Sequence, residues 1–257
     1  MRTHLLWLLM LLLASCKTQV AGLQQDPSFT KDSFRAHPIV IAGAVDMTQS
    51  ISSIQVIHQG ELIRQALLKK QKGLSLIPTQ TVVSKVGEQP MQALWLAYQS
   101  QSVIPQEALQ SIHKAFPQAR YIIIAKIERN QSRQFRETWE EDVLNDMGEP
   151  TDRYRKVIAQ VAERQIAASL LVYDMKSQIR AWYARLEDGD EVSNQSQDTF
   201  RKDNSFNESV TAGLVSGFMG NLTGGVLGLA EPDVPPVPPA DPILMRMYEG
   251  FAENMPD

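Results

Sequence analysis

The chain is 257 residues long and 43% hydrophobic, enough to bury a sizeable core as one large domain or one domain with appendages. Its formal charge is −4 with both signs interspersed, which gives no electrostatic footprint for nucleic acid. A single cysteine excludes an internal disulfide framework and a cysteine-based metal cluster.

At the N-terminus, Arg2 and His4 precede an uncharged apolar run from Leu5 to Leu13, and small residues follow. That is the pattern of a secretory signal peptide. As a helix, residues 5–15 rise only about 16 Å, roughly half a hydrocarbon core, which argues against a spanning segment. Leu13-Ala14-Ser15-Cys16 resembles a bacterial lipobox. In that motif the cysteine sulfur receives a diacylglycerol, and cleavage leaves the cysteine at the new N-terminus. The alternative is an ordinary signal peptide with an incidental cysteine. The one cysteine of the chain stands at the one position that lipidation requires, which favours acylation. Removing residues 1–15 leaves 242 residues and takes away one charged side chain, Arg2, moving the formal balance from −4 to −5. Multiple acyl chains, palmitate among them, anchor firmly where one holds only marginally. Lys17, where an aspartate would stand for retention, implies by the same resemblance an outer-membrane lipoprotein facing the periplasm.

Residues 16–37 are polar and mixed and read as a lipidated tether, about 25 Å end to end if flexible. Pro38-Ile-Val-Ile-Ala42 is a short strand. Residues 51–72 place Ile51, Ile54, Ile57, Leu62 and Ala66 near helical spacing, with Gly60 weakening the case for one continuous helix. Lys69, Lys70, Lys72 and Gly73 supply its stop signals. A second strand is expected over 74–78, then helices near 90–101 and 105–116, with Pro105 suited to a first turn. Tyr121-Ile-Ile-Ile-Ala-Lys-Ile127 is the strongest buried strand. Polar residues 128–152 separate it from a long alternating run. There Val157, Ala159 and Val161 share one parity, and Ile166, Ala168, Leu170 and Val172 share the other. A bulge or break is therefore expected around 162–165. Residues 179–187 return as a hairpin through a turn at 174–178. This order gives an α/β domain over 38–205, a mixed sheet flanked by helices. A glycine-rich apolar segment (206–231) and a proline-rich spacer with a C-terminal helix (232–257) close the chain.

The run Tyr121-Ile-Ile-Ile-Ala-Lys-Ile-Glu-Arg129, then Ala168-Ser-Leu-Leu-Val-Tyr-Asp174, a short turn and Arg180-Ala-Trp182 resembles the core of certain periplasmic lipoproteins. These are related to the curli secretion channel, and their domain is similar to the N-terminal domain of TolB. The ending Tyr248-Glu-Gly-Phe-Ala-Glu-Asn-Met-Pro256 resembles the C-terminal helix of some of them. The resemblance implies a TolB N-terminal-like fold and a place in an envelope complex. One departure matters: secretion channels of that family insert hairpins with alternating apolar and small residues. Residues 130–155 here carry charges on both parities, so no strand through them has a lipid-compatible face. Lipoprotein activators of peptidoglycan synthases share the fold, but the residues quoted do not single them out.

His58 and Glu61 lie at i, i+3 without a third ligand at useful spacing, and read as solvated helix surface. His37 and His113 stand alone and read as structural or surface residues. Glu140, Glu141, Asp142 and Asp146 lack the spacing of a calcium loop and read as a solvated loop. There is no nucleophile elbow, phosphate-binding loop or dinucleotide fingerprint, so neither catalysis nor a cofactor or metal is expected. Asp174 is expected to bond turn amides, and Trp182 to fill the core. Residues 210–230 hold no charge, and Gly213, Gly217, Gly220, Gly224 and Gly228 follow one flank of a helix. Small residues so placed let helices approach closely. Three readings stay open: a helix or glycine-rich loop packed on its own domain, an association surface between protomers of a homo-oligomer, or membrane insertion.

The chain thus reads as a non-enzymatic outer-membrane lipoprotein held to the membrane through the lipid on Cys16. Its periplasmic domain would be a binding or assembly component of a cell-envelope complex, with envelope protein partners and no nucleic acid. The alternatives are an oligomeric curli-type secretion component and a lipoprotein regulator of a peptidoglycan synthase.

Overall fold

Strands apolar on both parities need cover on both faces, and this chain supplies it. The computed structural model describes residues 20–201 and 231–256. Leu13, Ala14, Ser15, Cys16 and the glycines Gly213, Gly217, Gly220, Gly224 and Gly228 lie outside the described residues. The strands are β1 (Ala21–Gln25), β2 (Ile39–Asp46), β3 (Leu76–Ile77), β4 (Tyr121–Leu144), β5 (Pro150–Asp174) and β6 (Ile179–Arg201). They form a six-stranded mixed sheet in the order β1-β6-β5-β4-β2-β3. β2 runs parallel to β3 and β4, and β1 runs antiparallel to β6. The described helices are α1 (Lys31–Arg35), α2 (Ser53–Lys70), α3 (Thr79–Val86), α4 (Glu88–Gln101), α5 (Gln106–Ala115) and α6 (Ala240–Glu253). The α/β class with a mixed sheet flanked by helices therefore holds.

The chain divides into two compact units. The first comprises Met1–Gln131, Gln165–Gly189 and Pro239–Asp257. In it Ile39 and Ile41 of β2 join Tyr121, Ile123 and Ala125 of β4 in one apolar cluster with α2 and α6. Val40, Ala42, Ile122 and Ile124, of the opposite parity, pack with Met91, Trp95 and Ile112 of α4 and α5. The terminal helix α6 buries Ile243, Leu244, Met247, Tyr248 and Phe251, and Phe251 meets Trp182 edge to face at 6.1 Å. Polar bonds flank the contact with α2: Gln71 donates to the Ala252 carbonyl, and Lys69 and Lys70 pair with Glu249 and Glu253.

The helix over 53–70 is continuous through Gly60, because that glycine is where α2 touches the sheet. A Cβ there would lie 2.0 Å from Thr79 Oγ1 and 3.1 Å from Gly43 Cα. Gly43 itself sits at φ +98°, at a register shift of β2 against β4, under Val56. Thr79 is not free to yield, since its hydroxyl donates to the Ile41 carbonyl at 2.9 Å. Beyond the two residues that β3 pairs, Trp95 Nε1 takes the Ala42 carbonyl at 2.8 Å and Gln99 takes that of Asp46. Side chains thus close an edge that would otherwise invite another strand.

Several expected boundaries move. Residues 20–37 are folded, not a tether: β1 pairs with β6, and Phe29 and Phe34 are buried against each other and Tyr121. Thr30 and Ser33 form a reciprocal cap on α1. β3 is only two residues long, and α3 was not expected. The polar stretch 128–152 is largely strand, with β4 running to Leu144 and β5 starting at Pro150. Exposed on both sides, this stretch carries no apolar alternation to betray it.

The second unit, Ser132–Arg164 with Asp190–Pro238, takes segments of β4, β5 and β6. Inside it Arg133 pairs with Glu163, Arg155 with Glu141, and Tyr154 stacks on Phe200 at 5.5 Å between centroids. The proline-rich segment belongs here and is no free spacer. Pro235 and Pro238 are buried, Gln134 donates to the Pro235 carbonyl, and Asn194 to that of Asp233. The parity swap at 162–165 falls where β5 passes between units, at Arg164 and Gln165.

Gly60→Ala should lose about 1–3 kcal/mol of stability through overpacking. This opposes the gain of up to about 1 kcal/mol that alanine brings to a helix. Urea denaturation reads the difference, and a stabilised variant would refute the close approach of α2 to β2.

Candidate functional site

In the first unit, the chain ends that precede β2 and β4 meet the β5–β6 turn and the last turn of α5. Backbone bonds lock the junction: Arg120 N–H donates to the Pro38 carbonyl at 3.2 Å, and Met175 N–H to the Arg120 carbonyl at 2.8 Å. The groove they enclose has a volume of about 700 Å³ and is lined by His37, His113, Gln118, Arg120, Lys176 and Gln178, among others. That volume falls within the range of small-molecule sites. None of its lining residues is acidic, although the chain as a whole is.

The anchor of the groove is Arg120. Its Nε and Nη2 donate to Asp174 Oδ2 at 2.9 and 2.8 Å, and its guanidinium lies 5.1 Å from the Tyr121 ring centre. Asp174 Oδ1 takes the amides of Lys176 and Ser177 at 2.9 and 3.3 Å, so both carboxylate oxygens are engaged. Burial alone would raise the pKa of Asp174. The Arg120 bond and the turn amides outweigh it and hold the carboxyl below its ordinary 3.8. Bonding to Asp174 in turn raises the pKa of Arg120. Gln178 completes the turn at φ +57°, its N–H donating to the Asp174 carbonyl. Asp174 does bond the turn amides and Trp182 is fully buried, as their positions beside the turn indicate.

The structure brings His37 and His113 to this one groove, where sequence left them as separate residues. Their distance along the chain and plain surroundings carry no signal of it. His58 instead pairs with Asp241 of α6 at 2.8 Å, and Glu61 holds Arg64 through both oxygens. Among the described residues, no group of three or more His, Cys, Asp or Glu is placed to hold a metal ion. Nor is any described helix long and apolar enough to cross a membrane. The buried Lys126 lies outside the groove. Its Nζ donates to Ser102 at 2.8 Å, and burial lowers its pKa.

No family model matches the chain, and no curated protein matches it in sequence. Solved structures similar to it include lipoprotein GNA1162 from Neisseria meningitidis, at 10% identity and a TM-score of 0.30, covering 74% of this chain and 99% of that one. A PelC dodecamer from Paraburkholderia phytofirmans is similar at 12% identity and a TM-score of 0.32, covering 80% and 97%. The LpoB C-terminal domain from Salmonella enterica is similar at 11% identity and a TM-score of 0.34, covering 64% and 87%. Likeness at that level carries no functional argument.

Asp174→Asn leaves the charge of Arg120 unmatched at the groove and should cost about 3 kcal/mol at neutral pH. Because folding depresses the pKa of Asp174, the wild type's advantage is complete above the ordinary value of 3.8. It fades as pH falls through the lower folded value. Paired denaturation curves between pH 7 and the acid limit of folding test this. A difference that stays constant into acid would exclude the ion pair as its source.

Proposed function

We propose that this chain is a non-catalytic lipoprotein of the outer membrane. Its periplasmic α/β domain would be a binding or assembly component of a cell-envelope complex. The observation that carries this reading is the position of Cys16. The only cysteine of the chain ends the lipobox-like Leu13-Ala14-Ser15-Cys16 and stands five residues before Ala21, where β1 enters the sheet. Five residues reach at most about 18 Å when fully extended. An acylated Cys16 would therefore hold the folded domain at the membrane surface.

The groove supports binding over catalysis. Its lining has no Ser, Thr, Cys, Asp or Glu, and the carboxylate behind it is consumed by Arg120 and the turn. The hairpin of β4 and β5 bears on the secretion reading. It exists, but Arg133, Glu137 and Glu141 lie on one parity and Arg136, Glu140 and Asp142 on the other. A lipid-facing strand needs one apolar face, so this stretch favours assembly in water over a pore. If protomers associate, Gly213, Gly217, Gly220, Gly224 and Gly228 remain the surface that sequence offers for it.

Cells supplied with radiolabelled palmitate should label the wild-type protein and leave Cys16→Ala unlabelled. The variant should also move from the membrane fraction to the soluble periplasm. An unlabelled, soluble wild type would overturn the anchor.

A further inference from the structure

We propose that the groove at the starts of β2 and β4 binds a phosphate group. The inference rests on the groove alone and not on the lipid anchor, so acylation and phosphate binding can fail independently.

Arg120 is fixed before any ligand arrives. Two of its five N–H donors are committed to Asp174, its plane lies by Tyr121, and its own N–H and carbonyl are tied to Pro38 and Met175. A guanidinium held this way loses little freedom on binding, and its fork of donors suits an oxyanion. The same groove is lined by Lys176, Gln118, Gln178, His37 and His113, residues whose side chains carry an ammonium, two amides and two imidazoles. They come from four separate parts of the chain: the end of α5, the loop before β4, the link between α1 and β2, and the β5–β6 turn. Donor-bearing residues brought to one groove from several directions suit a tetrahedral oxyanion better than a planar carboxylate, which one fork can satisfy. Asp174 and Arg120 offset each other's charge, so Arg120 contributes its three uncommitted N–H donors and Lys176 the unmatched positive charge of the lining. Pro38, Pro117 and Met175 supply apolar wall for the group that carries the phosphate. The ligand is therefore a phosphate ester, either a lipid headgroup or a soluble compound.

The test is ³¹P NMR of inorganic phosphate with the lipidated full-length protein in an uncharged detergent. Saturable broadening is expected. Lys176→Glu and Gln118→Glu alter exposed side chains, so the fold should survive, and each should weaken binding about fivefold or more. Displacement by short-chain phosphatidylglycerol identifies a headgroup as the source, and displacement by glycerol 1-phosphate a soluble ester. Absence of saturable broadening would overturn the proposal. So would broadening untouched by either variant in a protein whose circular dichroism is unchanged, or equal competition by acetate.

Discussion

A carboxylate taken out of water must have its charge matched, and Asp174 is where this fold meets that constraint. The residue is 1% exposed, yet it is held ionised by Arg120 on one oxygen and by two turn amides on the other. That single group fixes three things at once. It closes the turn that sends β5 back as β6, it joins that turn to the start of β4, and it holds the guanidinium of Arg120, a residue that lines the groove. Without it the turn amides and Arg120 would each need another partner, and the floor of the groove would lose its shape.

A second constraint is steric. Two glycines, Gly43 and Gly60, bring α2 so close to β2 that neither position has room for a methyl group. The helix accepts the propensity cost of a central glycine in exchange for this approach. α2 then serves as the bed for α6, which covers the same side of the sheet. The last fourteen-residue helix of the chain is thus part of the core of the first unit, bound by Phe251 and Trp182 as well as by surface charges.

What was legible in the sequence was burial. Pro38-Ile-Val-Ile-Ala42, Tyr121-Ile-Ile-Ile-Ala-Lys-Ile127 and the spacing of Leu244, Met247, Tyr248 and Phe251 mark elements that lose water on folding, and those elements are present. Illegible were strands that stay wet. Residues 132–144 and 190–201 are held by ladder bonds and cross-strand ion pairs, which leave no periodic trace in hydropathy. The fold of residues 20–37 is hidden for a different reason. Its average is polar, but Phe29, Phe34 and the Thr30–Ser33 cap were enough to fold it. Of the groove, the Asp174 turn could be read from sequence. The meeting of His37, His113, Arg120 and Lys176 could not, because it arises only when the parallel strands are set side by side.

The register of β1 carries the functional argument one step further. Ala21 lies opposite Arg185 and Gln25 opposite Trp182, so β1 runs toward the end of the sheet that holds the groove. Cys16 precedes the other end of that strand. From Arg185 back to Ile179, the first residue of β6, is six steps, about 20 Å at the usual rise of a strand. An acyl anchor at Cys16, if the proposed lipidation occurs there, would therefore pull on the end of β1 away from the groove and not on its rim. With the domain so anchored, the groove would stay open to a soluble ligand, and a headgroup would enter it only if the domain lay over on the surface. On the proposed reading, an anchor at Cys16 and a ligand in the groove would thus act at opposite ends of β1, so that engaging one need not disturb the other.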